Sequence, residues 1–164
     1  MAPPPMKKRD MVYLLYFLIH IPVMFLVDLY PLYPIFIIPD FMSDLRTWYI
    51  VTYHDLFFVS PPPFFVFFAW LELLFHVPVA FWSVGGLWRG DDKVPVVLLA
   101  YAMQTAITTG TCIFDFLTWD TGVEVKGNLL GLYGPYLAVS VFMGLDMYKR
   151  LCHVVGGLEK KKKV

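Results

Sequence analysis

The chain has 164 residues, of which 59% are apolar, 18% aromatic and 16% charged, and its mean hydropathy is +0.64. An ordinary soluble domain carries about 25% charged residues, and thirteen basic against thirteen acidic side chains leave no formal net charge. These values exclude a disordered chain, a nucleic-acid binder and a soluble globule of this size, and they leave a one-domain integral membrane protein. Cys112 sits in an apolar run and Cys152 beside a basic cluster. Two such thiols make neither a secreted disulfide framework nor a CxxC metal site, so both are read as reduced.

A helix needs about 20 apolar residues to cross the hydrocarbon core, and four segments qualify: 11–38, 64–88, 94–117 and 128–148. The runs are too long for strands and lack two-residue alternation, which makes the fold class an all-α, four-helix membrane bundle. In the first segment Pro22, Pro31 and Pro34 bend or end the helix. Lys7, Lys8 and Arg9 resemble the start of a signal peptide, but the apolar stretch is too long and lacks a small-residue cleavage site, so the segment reads as a retained helix.

Four spans place both termini on one side. Eleven of the thirteen basic residues fall there, and only Arg46 and Lys126 fall opposite. The positive-inside rule then puts both termini in the cytoplasm. The tail ends Lys161-Lys162-Lys163-Val164. Lys161 and Lys162 match a di-lysine retrieval signal of the endoplasmic-reticulum membrane; the alternative is a basic tail drawn to anionic lipid. Between the first two spans, residues 39–63 carry Asp40, Asp44, Arg46, Trp48, Tyr49, Tyr53, His54 and Asp55, then three prolines. This pattern predicts an amphipathic segment on the lumenal interface, followed by an extended entry to the second span.

Ionisable side chains inside a span cost about 2.5–3.5 kcal/mol each, which makes every one a candidate for function. Glu72 and His76, four residues apart, share one helical face and read either as a functional pair or as a hydrogen-bonded lock between helices. His20 and Asp28 lie on the first span, about 80° apart around its axis. Asp28 is expected at a depth similar to that of Asp55. Two carboxyls near one dry cavity resist ionising together, so one donates a hydrogen bond while the other stays anionic. That pair suits a hydroxyl or a cationic amine; alternatively Asp28 caps the span in water. Tyr133 and Tyr136 either line a cavity or pack between helices. The hydroxyls around Gln104 to Thr111 read as interhelical glue. Asp115 and Asp146 are expected near the ends of their spans. No phosphate loop, dinucleotide fingerprint, zinc motif or nucleophile elbow occurs, so no cofactor and no metal are expected. Acid–base chemistry on a lipid, with Glu72 and His76 as its groups, stays open.

Tyr16 to Pro22 with Val27-Asp28-Leu29, Trp48-Tyr49 with Asp55 before the prolines, Glu72 to Pro78, and Tyr133-Gly134-Pro135-Tyr136-Leu137 together resemble the sigma-2 receptor (transmembrane protein 97) family. The family belongs to the wider EXPERA set, which includes the sterol Δ8–Δ7 isomerase emopamil-binding protein. The resemblance covers residues 11–150 as one membrane domain, between a short segment 1–10 and a basic tail 151–164. It implies an endoplasmic-reticulum protein that binds sterols and cationic amphiphilic amines in an intramembrane pocket. Asp28 would face the amine, Asp55 would be its neighbouring carboxylate, and His20, Glu72, Tyr133 and Tyr136 would complete the lining. His76 departs from the glutamine expected in that family and adds a titratable group beside Glu72. A sterol or other lipid is the implied partner, with a homodimer or a membrane-protein client also open. The implied role is sterol transport or homeostasis, and a sterol isomerase is the alternative.

Overall fold

The computed structural model describes residues 7–162, with side chains through residue 157. The side chains of Lys161 and Lys162 therefore lie outside the described residues. Among the described residues the chain is mostly helical, with no strand. Helix α1 (Lys8–Val23) runs into a π-helical turn, Met24–Asp28, and together they form a first span of 21 residues. At 1.5 Å per residue this is about 32 Å, enough to cross the hydrocarbon. The chain then breaks into two single 3₁₀ turns, Tyr30–Leu32 and Ile35–Ile37. The first span is thus shorter than the apolar run 11–38: Pro31 and Pro34 offer no N–H to continue a helix, and Tyr33 before Pro34 is extended at ψ 134°.

Two short helices, α2 (Asp40–Tyr53) and α3 (Leu56–Val59), connect the first two spans. His54 stops α2 in a left-handed conformation (φ 54°), and its N–H closes onto the Ile50 carbonyl at 2.9 Å. The guanidinium of Arg46 donates to the Phe58 carbonyl and lies over the Tyr30 ring at 5.0 Å, binding α2 to both of its neighbours. The second span is α4 (Pro63–Leu71), a π-helical turn at Glu72–His76, and α5 (Val77–Arg89). Gly90 ends it at φ +65°, a conformation that a Cβ disfavours. The third span, α6 (Val94–Leu117), matches the sequence expectation at both ends. The fourth helix, α7 (Val123–Lys162), is much longer than the expected 128–148, since its flanks are helical without being apolar.

Every span shows large apolar side chains outward, among them Leu15, Ile19, Phe67, Leu74, Ile107, Phe114, Phe142 and Leu145. In water such a surface would aggregate; in a bilayer it is solvated. Inside, two apolar clusters stand at opposite ends. One gathers Tyr13, Phe17, Met24, Ala80, Leu87, Leu98, Tyr101, Met143 and Met147 from four spans. The other gathers Phe57 and Phe58 of α3 with Cys112, Phe116 and Leu129.

Beyond the first cluster an ion network joins α1 to α7. Asp146 takes Arg9 Nη1 at 2.6 Å, Arg150 Nη2 at 2.7 Å and the Tyr13 hydroxyl at 3.0 Å, while Arg150 Nη1 reaches Asp10 at 2.6 Å. The Asp146 side chain is 4% exposed and that of Arg150 19%, whereas that of Arg9 is 66% exposed. Asp146 is therefore a buried junction between helices. Replacing it with Asn removes the charge that Arg9 and Arg150 share and leaves Arg150 with Asp10 alone, and should lower stability by about 2 kcal/mol. Arg9→Ala should matter far less, because Arg9 is mostly in solvent. Thermal unfolding of the two variants in detergent checks the order; equal midpoints would dismiss the network as a stabilising element.

Candidate functional site

Between the two clusters lies a cavity of about 260 Å³. It touches Tyr101 of the first cluster through His76, whose ring lies 4.6 Å away, and takes Phe58 and Cys112 of the second as wall. His20 and Asp28 enter from the first span, Glu72 and His76 from the second, Thr105, Thr108 and Thr109 from α6, and Tyr133 and Tyr136 from α7. Tyr49 enters from α2, and Phe65, Phe68 and Ala69 supply apolar wall.

The backbone explains why these groups meet. Both cavity carboxyls sit at the edges of π-helical turns: Asp28 ends the first and Glu72 begins the second. A π turn inserts about one extra residue and so rotates everything beyond it by about 100°. In a straight helix His20 and Asp28 would point about 80° apart; with the insertion they fall within about 20° of one another. Pro78 follows the second π turn and withholds an N–H from the turn before it, a common cause of such distortion.

Asp28 and Glu72 are neighbours close enough to interact directly. Glu72 Oε1 also lies 3.9 Å from His20 Nε2. The His20 ring stacks on Tyr16 at 5.2 Å and leans on Tyr136 at 5.4 Å. The partner of Asp28 is thus Glu72, and the sequence reading that set Asp55 beside Asp28 does not describe the geometry.

Asp55 stands one layer behind the wall and is fully buried. Its Oδ1 accepts the Phe57 N–H at 3.0 Å, capping α3. Its Oδ2 accepts two phenols, Tyr49 and Tyr133, each at 2.9 Å. Asp55 acts on the cavity through those two rings. Tyr49 and Phe58 also separate the cavity from a smaller void of about 80 Å³ beside Arg46 and Tyr30.

The sequence reading missed Tyr49, Phe65 and Phe68 as lining and took the threonines of α6 for glue. The threonines do face the cavity, but Thr105 and Thr108 donate to carbonyls of their own helix, at 3.0 Å to Tyr101 and 3.1 Å to Gln104. The Trp48-Tyr49 stretch does not mark Tyr49 as lining; its approach to Asp55, six residues on and across a helix end, becomes a contact only in the fold. Asp115 accepts the Trp119 indole N–H at 2.9 Å and does not line the cavity. Among the described residues no group of acidic, histidine or cysteine side chains has the arrangement of a metal site.

Burial holds the Asp55 carboxyl above the usual carboxylate range, although its three donors pull it down. Burial, and then the Asp55 charge, push the Tyr49 phenol upward. A carboxyl raised on folding stabilises the protein at acid pH, and that contribution is lost as pH rises through the folded value. The unfolding midpoint of wild type minus that of Asp55→Asn should therefore be larger at pH 4 than at pH 7. Asp55→Ala, which frees both phenols and the cap, should cost about 3 kcal/mol. A pH-independent difference between wild type and Asp55→Asn would rule out the titration.

The family model for EXPERA, the expanded EBP superfamily, matches residues 41–147. Sigma intracellular receptor 2 of Xenopus tropicalis is 28% identical over 151 residues, covering 84% of this chain and 86% of that protein. The Homo sapiens protein of the same name is 25% identical over 161 residues, with 90% and 92% covered. Efficient mitochondria targeting-associated protein 19 of Schizosaccharomyces pombe is 32% identical over 117 residues, covering 68% of this chain and 61% of that protein. With four apolar spans and a family model that matches more than half of its length, the chain belongs to the EXPERA family, the expanded EBP superfamily.

Proposed function

We propose that this protein binds a sterol or related lipid, and cationic amphiphilic amines, in the cavity between its spans, and acts in sterol transport or homeostasis. The observation that carries this reading is the Asp28–Glu72 pair, two carboxyls side by side among Phe65, Phe68 and Tyr136. Like charges in a low-dielectric cavity repel, so the pair is relieved by a cation or by a shared proton. An amphiphile with one amine or hydroxyl and a rigid apolar body answers both halves of this lining. The likeness to sigma intracellular receptor 2 supports a receptor-type ligand site.

A second reading is sterol double-bond isomerisation, favoured by Glu72 lying 3.9 Å from His20 with His76 on the same wall. A carboxyl and an imidazole can supply and remove the two protons of such a reaction. A homodimer and an escorted membrane-protein client are further partners consistent with the family, and the name of the yeast relative points to targeting.

Asp28→Asn should weaken binding of a labelled sigma-type amine by about 30-fold, which corresponds to an ion pair of ~2 kcal/mol. Unchanged affinity would remove Asp28 from the site. Lipids co-purifying with the protein, identified by mass spectrometry, should include a sterol. The same preparation, given a Δ8-sterol, should form no Δ7 product; formation of that product moves the assignment to the isomerase.

We place the protein in the endoplasmic-reticulum membrane with both termini cytoplasmic, on the charge asymmetry and the Lys161-Lys162 pair. An N-terminally tagged Lys161→Ser/Lys162→Ser variant should leave that membrane when imaged in cells. Unaltered distribution would mean that these lysines are only a basic tail.

A further inference from the structure

His76 is 6% exposed and lines the cavity, and its Nε2 has no hydrogen-bond partner in the protein. A buried polar atom left unmatched costs about 1–3 kcal/mol, so something must answer it when the site is in use. The Tyr101 hydroxyl, whose ring packs on His76, pairs with that of Tyr16 at 3.3 Å. The Thr105 and Thr108 hydroxyls donate their protons to carbonyls of their own helix. His20 also leaves a buried nitrogen, Nδ1, unmatched, but its Nε2 lies 3.9 Å from Glu72 and its ring is stacked on Tyr16. The cavity thus has an acidic part, at Asp28 and Glu72, and an imidazole part at His76, which lies on the same π turn as Glu72 and whose Nε2 the carboxyls leave unmatched.

The two parts suit different chemistry. The acidic part suits a cation. A neutral imidazole carries one donor and one acceptor nitrogen and brings no negative charge, which matches an alcohol that both donates and accepts. We propose that His76 is a specificity-determining residue that hydrogen-bonds the uncharged hydroxyl of a lipid ligand, apart from the carboxyl pair that takes amines. The inference rests on the lipid-binding reading above and narrows it to alcohols such as sterols with a free hydroxyl.

The test compares tritiated cholesterol with tritiated 5-cholestene, which lacks the hydroxyl, on the purified full chain in detergent. Wild type should bind the alcohol about five- to tenfold more tightly, the ratio that one buried hydrogen bond sustains. His76→Phe should bring the ratio to about one, and His76→Gln, which still offers a donor and an acceptor, should keep it above about threefold. Folding is followed by helical circular dichroism, and His76→Leu replaces His76→Phe if the larger ring unfolds the protein. A ratio of one in wild type, or a wild-type ratio in His76→Phe, overturns the role of His76 and leaves lipid binding standing. If neither sterol binds wild type, the lipid-binding reading falls along with this inference.

Discussion

Ionisable side chains at membrane depth have no water to meet, and each left facing lipid would cost several kcal/mol. They must turn into the bundle and find one another there. His20, Asp28, Glu72 and His76 all do so, and the cavity is the place where four such obligations coincide. The apolar surface follows the inverse rule. Leucine, isoleucine and phenylalanine cover the outside of every span, because lipid solvates them as well as any core would.

Helices in lipid gain little from burying apolar surface against each other, so polar contacts carry more of the specificity of packing. Two such contacts clamp this bundle at its ends. At one, Asp146 joins α1 to α7 through Arg9, Tyr13 and Arg150. At the other, Asp55 gathers α2, α3 and α7 through Tyr49, the Phe57 N–H and Tyr133. Each buried carboxylate collects three or more donors, which satisfies its charge and leaves few alternative arrangements. The cavity between them can then hold a less satisfied set of polar groups without the spans drifting apart.

The class of the fold was legible in the sequence, since long apolar runs bounded by prolines and charges have few other readings. The third span agrees at both ends because Lys93-Val94-Pro95 and Thr118 mark it locally. The first was overestimated because hydropathy does not register that two prolines have already ended the helix. The fourth was underestimated because a helix continues past the apolar stretch that announces it. Among the site residues, Asp28, His20, Glu72, His76, Tyr133 and Tyr136 were recognisable as polar groups out of place in a span, and they do share one cavity. Asp55 was recognisable only as a carboxyl near a predicted interface, and its three donors come from elements whose meeting is not written locally.

The sequence by itself determined the all-α membrane architecture, the number of spans and the inventory of polar groups at membrane depth, all of which follow from composition and run length. Only the tertiary structure decided which carboxyl faces which. That choice depends on two π-helical turns, each of which rotates the groups beyond it by about a quarter of a turn or more. It also depends on the cap of a four-residue helix, which draws Asp55 toward Phe57 and two phenols and leaves Glu72 as the partner of Asp28. A helical period cannot foresee an inserted residue, and a short cap has no apolar pattern to announce it.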